Sequence, residues 1–306
     1  MKTITVFGGS GFIGRYVIQN LAQAGYNIRV AVRFPVQANF LKVLGRVGQI
    51  TPICAPVNIP ELVDHAIQKS DGIINLTGIL FEKKNQTFEH VHVDGVRNIA
   101  KAAQKYEIQN VVHVSALGQG KNSTSQYART KALGEEVLRS HVKEAVILRP
   151  SVVFGPEDQF FNRFAEIACL SPFIPLIGGG HTKLQPIYVG DVAEAITRVL
   201  GRYASYGNTY EIGGPFTYTF RELMILMLKV IERERILLSL PYSLATLMGW
   251  FGQFLPTPPL TADQVELLKA DNIVSGKYPT ISDLGIDPKT VEAIIPSYLG
   301  RFRRVG

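Results

Sequence analysis

At 306 residues, 46% hydrophobic and 19% charged, the chain has the make-up of a soluble globular protein with room for a large core and a second lobe. Its net charge of +7 favours acidic partners such as phosphates or an anionic membrane surface, while the lack of a Lys/Arg block interleaved with aromatics argues against nucleic acid. The two cysteines, Cys54 and Cys169, have no metal-ligand spacing, so no metal site or disulfide framework is expected and both read as small buried apolar residues.

The chain opens on a strand rather than on a basic stretch followed by an apolar core. We therefore expect no signal peptide and a cytoplasmic, reducing compartment. Residues 3–7, Thr-Ile-Thr-Val-Phe, read as a buried parallel strand. Gly8-Gly9-Ser10-Gly11-Phe12-Ile13-Gly14 follows at once, and Phe12, Val17 and Leu21 then start a helical period. Glycine at 8 permits the tight turn, Gly11 lets a pyrophosphate approach the backbone, and Gly14 lets the helix pack on the strand. The helix start offers free N–H groups and the positive end of its dipole to phosphate.

Further strands are predicted over 27–32, 50–55, 72–76, 110–115 and 145–148, with helices over 60–68, 88–106 and 127–141 between them. This alternation predicts an α/β fold: a Rossmann-type, doubly wound parallel sheet whose ligands gather at the carboxyl ends of the strands. After Pro150 prolines and glycines become frequent. A helix over 189–200, a short strand over 209–212 and a helix over 220–231 then suggest a smaller lobe. The expected division is residues 1–150 as the nucleotide-binding domain and 151–306 as an interleaved substrate or partner lobe, with some segments returning to the first.

Chemistry-bearing residues fall at the strand ends. The second strand ends in Arg33 where a ribose-binding carboxylate would stand in an NAD site, and a guanidinium fork suits a 2′-phosphate. The reading is NADP(H) in preference to NAD(H). Leu76, Thr77 and Gly78 close the fourth strand and let a cofactor ribose approach. Ser115 closes the fifth, and Tyr127 and Lys131 follow one helical turn apart. An ammonium on the same face as a phenol lowers the phenol's pKa, so Tyr127 is expected to exchange a proton as hydride moves, with Ser115 bonding the same oxygen.

These motifs resemble the extended short-chain dehydrogenase/reductases, the NAD-dependent epimerase/dehydratase-like proteins. Gly8, Gly11 and Gly14 match their glycine motif, and Ser115, Tyr127 and Lys131 their catalytic triad. Residues 148–156 resemble the segment that brings backbone to the nicotinamide, which implies roles for Pro150, Val152 and Val153. Residues 185–193 resemble the turn that opens the substrate-lobe helix. Two departures stand out: Ala55-Pro56-Val57-Asn58 lacks the family's carboxylate near the adenine, and His92 stands where an asparagine is usual. His92 reads as a packed histidine, with a polar group substituting for that asparagine as the alternative.

A narrower resemblance is carried by residues 30–33, 154–165 and 260–268, which are similar to the nucleotide-binding accessory subunits of respiratory complex I (NADH:ubiquinone oxidoreductase). That implies tightly held NADPH without established turnover, and a place on the peripheral arm. It also implies peripheral attachment at the cytoplasmic face of the inner membrane, or the matrix face in a mitochondrion. The competing reading is a soluble NADP-dependent reductase, epimerase or dehydratase acting on a small molecule. A nucleotide sensor without catalysis predicts a damaged triad, and this one is intact. Residues 236–262 carry no charge, but Pro241, Pro256, Pro258 and Pro259 break the run into pieces too short to cross a bilayer. We expect a buried lobe helix there, with residues 247–254 as an alternative apolar docking surface and Arg301, Arg303 and Arg304 as a basic tail facing lipid.

Overall fold

A computed structural model describes residues 1–83, 86–252 and 260–303. The first half runs β1 (Thr3–Phe7), α1 (Phe12–Gln23), β2 (Asn27–Val32), β3 (Ile50–Cys54), α2 (Pro60–Ile67), β4 (Gly72–Asn75), α3 (Gly95–Lys105), β5 (Val111–Val114), α4 (Gln126–His141) and β6 (Val146–Pro150). Beyond it come β7 (Val153–Phe154), α5 (Phe161–Leu170), β8 (Phe173–Ile177), β9 (Lys183–Leu184), β10 (Ile187–Tyr188), α6 (Val189–Val199) and β11 (Thr209–Ile212). The described chain closes with β12 (Tyr218–Thr219), α7 (Phe220–Val230), β13 (Ile236–Leu240), α8 (Tyr242–Gly252), α9 (Ala262–Leu267), α10 (Val291–Ile294) and α11 (Pro296–Leu299).

Seven parallel strands form the main sheet in the order β11-β6-β5-β4-β1-β2-β3. The order reverses between β1 and β4, and such a switch point opens a crevice outside the strand ends. Both faces are covered, so the strands are mainly apolar. Ile4, Val6, Val30 and Leu148 pack with Val17 and Leu21 of α1 and with Val192 and Ile196 of α6. Phe7, Ile73 and Val111 pack with Ile99 of α3 and Leu138 of α4 on the other face.

Two elements from beyond residue 150 join this layer: α6 packs beside α1, and β11 is the strand next to β6. Ile281, Leu284 and Ile286 enter the same core. A separate core gathers Phe154, Phe161, Phe220, Met224, Ile295 and Leu299 from α5, α7 and the last helices.

Several local expectations change. The run read as one helix over 88–106 contains a π-helical turn, Glu89–Asp94, before α3 begins. Cys54 ends β3 exposed rather than buried, and Cys169 is half-buried. The uncharged run is a strand, β13, followed by α8, and α8 is not buried. Only its Ala245 side reaches a core, against Val265 of α9, while Leu244, Leu247, Met248 and Trp250 are each about half exposed. Among the described residues, the face of this apolar helix that reaches a core is the one carrying Ala245. No helix among the described residues is long and apolar enough to cross a membrane. Pro256, Pro258, Pro259, the end of the 247–254 surface and Arg304 lie outside the described residues. Arg301 and Arg303 are tied to their own lobe, the first to Asn162 Oδ1 at 2.7 Å and the second to Val230 O at 3.0 Å.

One buried ion pair joins helix to sheet. Arg149 of β6 donates from Nε and Nη2 to the two oxygens of Glu135 of α4, at 3.0 and 2.6 Å. The side chains are 15% and 7% exposed. Glu135→Ala is expected to cost about 3 kcal/mol, because a guanidinium is left buried without its carboxylate. Urea denaturation checks this; a loss under about 1 kcal/mol means that water replaces the carboxylate.

Candidate functional site

The site forms where β1, β2, β4, β5 and β6 end. Gly8 turns the chain out of β1 with φ +76, and Gly11 N donates back to Gly8 O at 3.1 Å. The turn is packed to its limit. A Cβ on Gly8 would lie 2.9 Å from the Leu76 carbonyl carbon, and one on Gly9 2.7 Å from Val30 Cγ1. One on Gly14 would strike Gly9 O and stand 2.5 Å from its carbonyl carbon. Ser10, Phe12 and Ile13 complete the turn and are half-buried, and Gly11 caps α1 without a side chain of its own at the helix start. The N–H groups of that start remain for an anion.

Arg33 follows β2 and is exposed, its guanidinium 6.0 Å from the Phe34 ring. Leu76 N continues the ladder to Phe7 O at 2.9 Å, which sets Leu76 and Thr77 against the glycine turn. Pro150 ends β6, and Val152 and Val153 carry the chain half-buried into β7, where Ile187 N donates to Val152 O at 2.9 Å. Glu157 ties this passage to α1, accepting from Tyr16 Oη at 2.8 Å and pairing with Arg15 at 3.2 Å.

Ser115, Tyr127 and Lys131 come to the same edge. Lys131 is buried; its Nζ donates to Val114 O at 3.3 Å, beside Ser115, and would be 3.3 Å from a Cβ on Gly78. Burial pulls the Lys131 ammonium down to about 8, partly offset by Glu135. Ser115 Oγ is buried with no hydrogen-bond partner among the described residues. Tyr127 is packed edge-on against Phe88 and His92, with centroids at 5.9 and 5.4 Å. Its phenol is not lowered as the Tyr-Lys spacing suggests. Burial and then the Asp263 carboxylate push it up to about 12, because the ammonium is turned toward Val114 and Gly78.

His92 is buried, and it is also a polar part of the site. Its Nε2 accepts from Ile79 N at 3.2 Å, and its Nδ1 lies 3.0 Å from Thr130 Oγ1, which donates to Gln126 O at 2.9 Å. That chain fixes a neutral ring with its proton on Nδ1. Burial, then Lys131, lowers His92 to about 2. Beneath it Asn75 Nδ2 faces His113 Nδ1 at 3.1 Å, while Asn75 Oδ1 accepts from Thr77 N at 3.0 Å. The π-helical turn that carries His92 is a feature common at functional sites. The sequence signals neither His113 nor Asp263, which stands 136 residues from Tyr127.

A cavity of about 540 Å³ lies toward the smaller lobe, between Ile79–Phe81 and Asp158, Asn162 and Glu166. Asp158 forms a buried wall, accepting from Gly155 N at 3.0 Å and Tyr298 Oη at 2.7 Å. A larger cavity of about 830 Å³ opens on the outer side of α4 around Arg139, Arg149 and Tyr278, away from the strand ends.

A switch point in the strand order, a glycine turn with no room for a Cβ on Gly8, Gly9 or Gly14, and Ser115, Tyr127 and Lys131 at the same edge are features of an α/β protein of the short-chain dehydrogenase/reductase kind. Residues 4–213 match the NAD dependent epimerase/dehydratase family, and the chain belongs to it. Among its relatives is the NADH-ubiquinone oxidoreductase 40 kDa subunit of Neurospora crassa, 32% identical over 98% of this chain and 80% of that protein. NADH dehydrogenase [ubiquinone] 1 alpha subcomplex subunit 9 of Arabidopsis thaliana is 33% identical over 99% of this chain and 78% of its own length. The structure of the Escherichia coli NADPH-dependent quinone oxidoreductase QOR2 with NADPH superposes with a TM-score of 0.76, covering 97% of this chain and 99% of that one at 21% identity.

Proposed function

We propose that the chain is an NADP(H)-holding accessory subunit of respiratory complex I, attached peripherally to the complex, with the nucleotide structural or regulatory. One observation carries the reading. The family match ends at residue 213, whereas likeness to the complex I subunits runs on through the smaller lobe to 98% of the chain. That lobe is where a partner-specific surface belongs, since the nucleotide half is shared with enzymes of many kinds. Membranes solubilised in mild detergent are expected to carry the protein with complex I. A protein that is wholly soluble at low salt and absent from the complex overturns the reading.

The cradle suits a dinucleotide: the turn has no room for a Cβ on Gly8, Gly9 or Gly14, Gly11 leaves the helix start open, and Ser115 offers a buried hydroxyl in need of a partner. Gly8 to Gly14 and the start of α1 hold the phosphates, and Leu76, Thr77 and Gly78 take the ribose. Pro150, Val152 and Val153 back the nicotinamide, with Ser115, Tyr127 and Lys131 facing it. The bound nucleotide supplies a hydride donor or acceptor. The chain's own residues orient it, and Tyr127 keeps its proton at neutral pH.

Arg33 supports NADP(H) over NAD(H), because a guanidinium beside the adenosine ribose attracts a 2′-phosphate that a carboxylate repels. Arg33→Asp is expected to weaken NADPH by roughly ten- to hundred-fold, the scale of a charge-assisted pair, and NADH far less. Titration with both nucleotides checks this; equal loss for the two removes Arg33 from the site. A reductase reading draws on the buried Ser115 hydroxyl that has no partner among the described residues, and hydride transfer from bound NADPH to a small carbonyl compound is its test.

A further inference from the structure

The start of the helix that carries Tyr127 is held from outside the nucleotide half. Asp263 of α9 accepts from Gln126 N at 2.6 Å on Oδ1, and from Ser125 Oγ at 2.8 Å and Tyr127 N at 3.2 Å on Oδ2. Ser125 Oγ in turn accepts from Ala128 N at 3.2 Å, and Glu266 accepts from Thr124 Oγ1 at 3.1 Å. A helix start usually finds its acceptor in its own capping residue. Here a carboxylate from far along the chain serves the cap and the first two residues of α4 together.

Asp263 stands on a fixed base. Thr261 and Gln264 close a capping box at the start of α9. Val265 packs with Ala245 of α8, and a Cβ on Gly249 of α8 would lie 2.6 Å from Ala262 N. The two helices therefore move as one body.

We propose that Asp263 is a positioning residue for the nicotinamide side of the site, fixing the first turn of α4 and with it the ring of Tyr127. The inference rests on the reading that the nucleotide lies along that edge. An uncapped first turn frays, and Tyr127 is the second residue of the helix. The carboxylate also acts on the phenol proton. The charged and titratable groups facing Tyr127 are His92 on the π-helical turn, Lys131 on the next turn of α4, and Asp263 and Glu266 on α9. His92 is neutral, Lys131 is turned to Val114, and Glu266 is engaged by Thr124 and Lys269. Asp263 is the charge that favours the protonated phenol.

Two variants of the full chain separate position from charge. Asp263→Asn keeps the volume but removes the charge and one acceptor. Ser125→Ala keeps the charge and adds no atoms, removing the hydroxyl that donates to Asp263 and accepts from Ala128 N. Each protein is loaded with NADPH and the release rate is followed by fluorescence. The Tyr127 ring is followed by NMR with ring-labelled tyrosine, its signal assigned by loss in Tyr127→Phe. Asp263→Asn is expected to release NADPH roughly five- to ten-fold faster, the scale of a lost cap, and to ionise Tyr127 at lower pH. Ser125→Ala is expected to speed release about five-fold, the scale of a lost cap, with the Tyr127 titration unchanged. Wild-type release rates and an unmoved Tyr127 signal in both variants overturn the inference. If Asp263→Asn does not fold, Ser125→Ala decides alone. If the wild-type protein takes up no NADPH, the nucleotide reading fails, and the Tyr127 signal still decides whether Asp263 sets the ring.

Discussion

Gly14→Ala is expected to empty the nucleotide site. The new Cβ meets backbone and not a side chain that could turn away: Gly9 O, the Gly9 carbonyl carbon at 2.5 Å and Gly8 O at 2.6 Å. Either α1 moves off β1 or the turn opens. Overpacking of this kind costs about 3 kcal/mol. The same displacement spoils the aim of the N–H groups at the helix start, and about 3 kcal/mol corresponds to a loss of affinity of roughly a hundred-fold. Nucleotide released on denaturing the purified protein, with its melting temperature, measures both effects. Gly25→Ala is the control. That residue sits at φ +82 with open space around it, so it carries backbone strain of about 1 kcal/mol and no clash. It should lose a little stability and keep its nucleotide. A Gly14→Ala protein with wild-type nucleotide content would remove the glycine turn from the binding site.

Acid is expected to destabilise the protein well before its carboxylates titrate. His92 and His113 are buried, and burial followed by Lys131 lowers them from 6.5 to about 2 and about 3. Between those values and 6.5 the unfolded chain binds protons that the folded chain does not. The stability these neutral rings permit is therefore fully present above pH 6.5 and is lost as pH falls, at about 1.4 kcal/mol per pH unit for each ring. From pH 6.5 to 5 the pair costs about 4 kcal/mol, a large share of a typical net stability of about 5–15 kcal/mol. Lys131 acts in the same sense at a higher range: lowered to about 8 from 10.5, it makes stability fall as pH drops through that window and adds no slope below it. Urea titrations at pH 7, 6 and 5 test this directly. In His92→Gln, whose amide can still accept from Ile79 N, the slope between pH 6 and 5 should be about half that of the wild type. A stability unchanged from pH 7 to 5 would mean that the rings are protonated without cost.

The strand ends were legible because a parallel strand covered on both faces is a plain apolar run, and because glycine is the residue that tight approach requires. Thr3–Phe7 with Gly8, Gly11 and Gly14 carries both signals, and the parallel sheet follows from the alternation around it. What a strand pairs with is less visible. The strand over 209–212 was read from its composition, yet nothing local says that Tyr210 lies beside Leu148. The π-helical turn was hidden because one inserted residue barely disturbs the apolar period of Val91, Val96 and Ile99. The phenol of Tyr127 was misjudged for a related reason. Spacing reveals an ammonium four residues away, but neither the burial of the ring nor a carboxylate from α9. For α8, composition suggested burial, whereas exposure depends on whether another surface exists to cover it.

The place of β11 has a consequence for how the chain is made. Synthesis runs from the N-terminus, and domains tend to fold as they emerge. The first six strands can assemble once residue 150 is out, but β6 then presents a bare edge and α1 lacks α6 at its side. Residues 189–212 supply both, and Ile281, Leu284 and Ile286 finish the same core. Glu211 is then sealed by Ser275 N at 2.5 Å and donates its own N–H to Pro279 O at 2.9 Å. The main sheet and its core are thus complete only after residues 209–286 have emerged, with the smaller lobe threaded through them. A gene cut at residue 150 would yield a sheet with an open side, and a chain released before residue 280 would have its last strand in place without Ile281, Leu284 and Ile286 to finish the core.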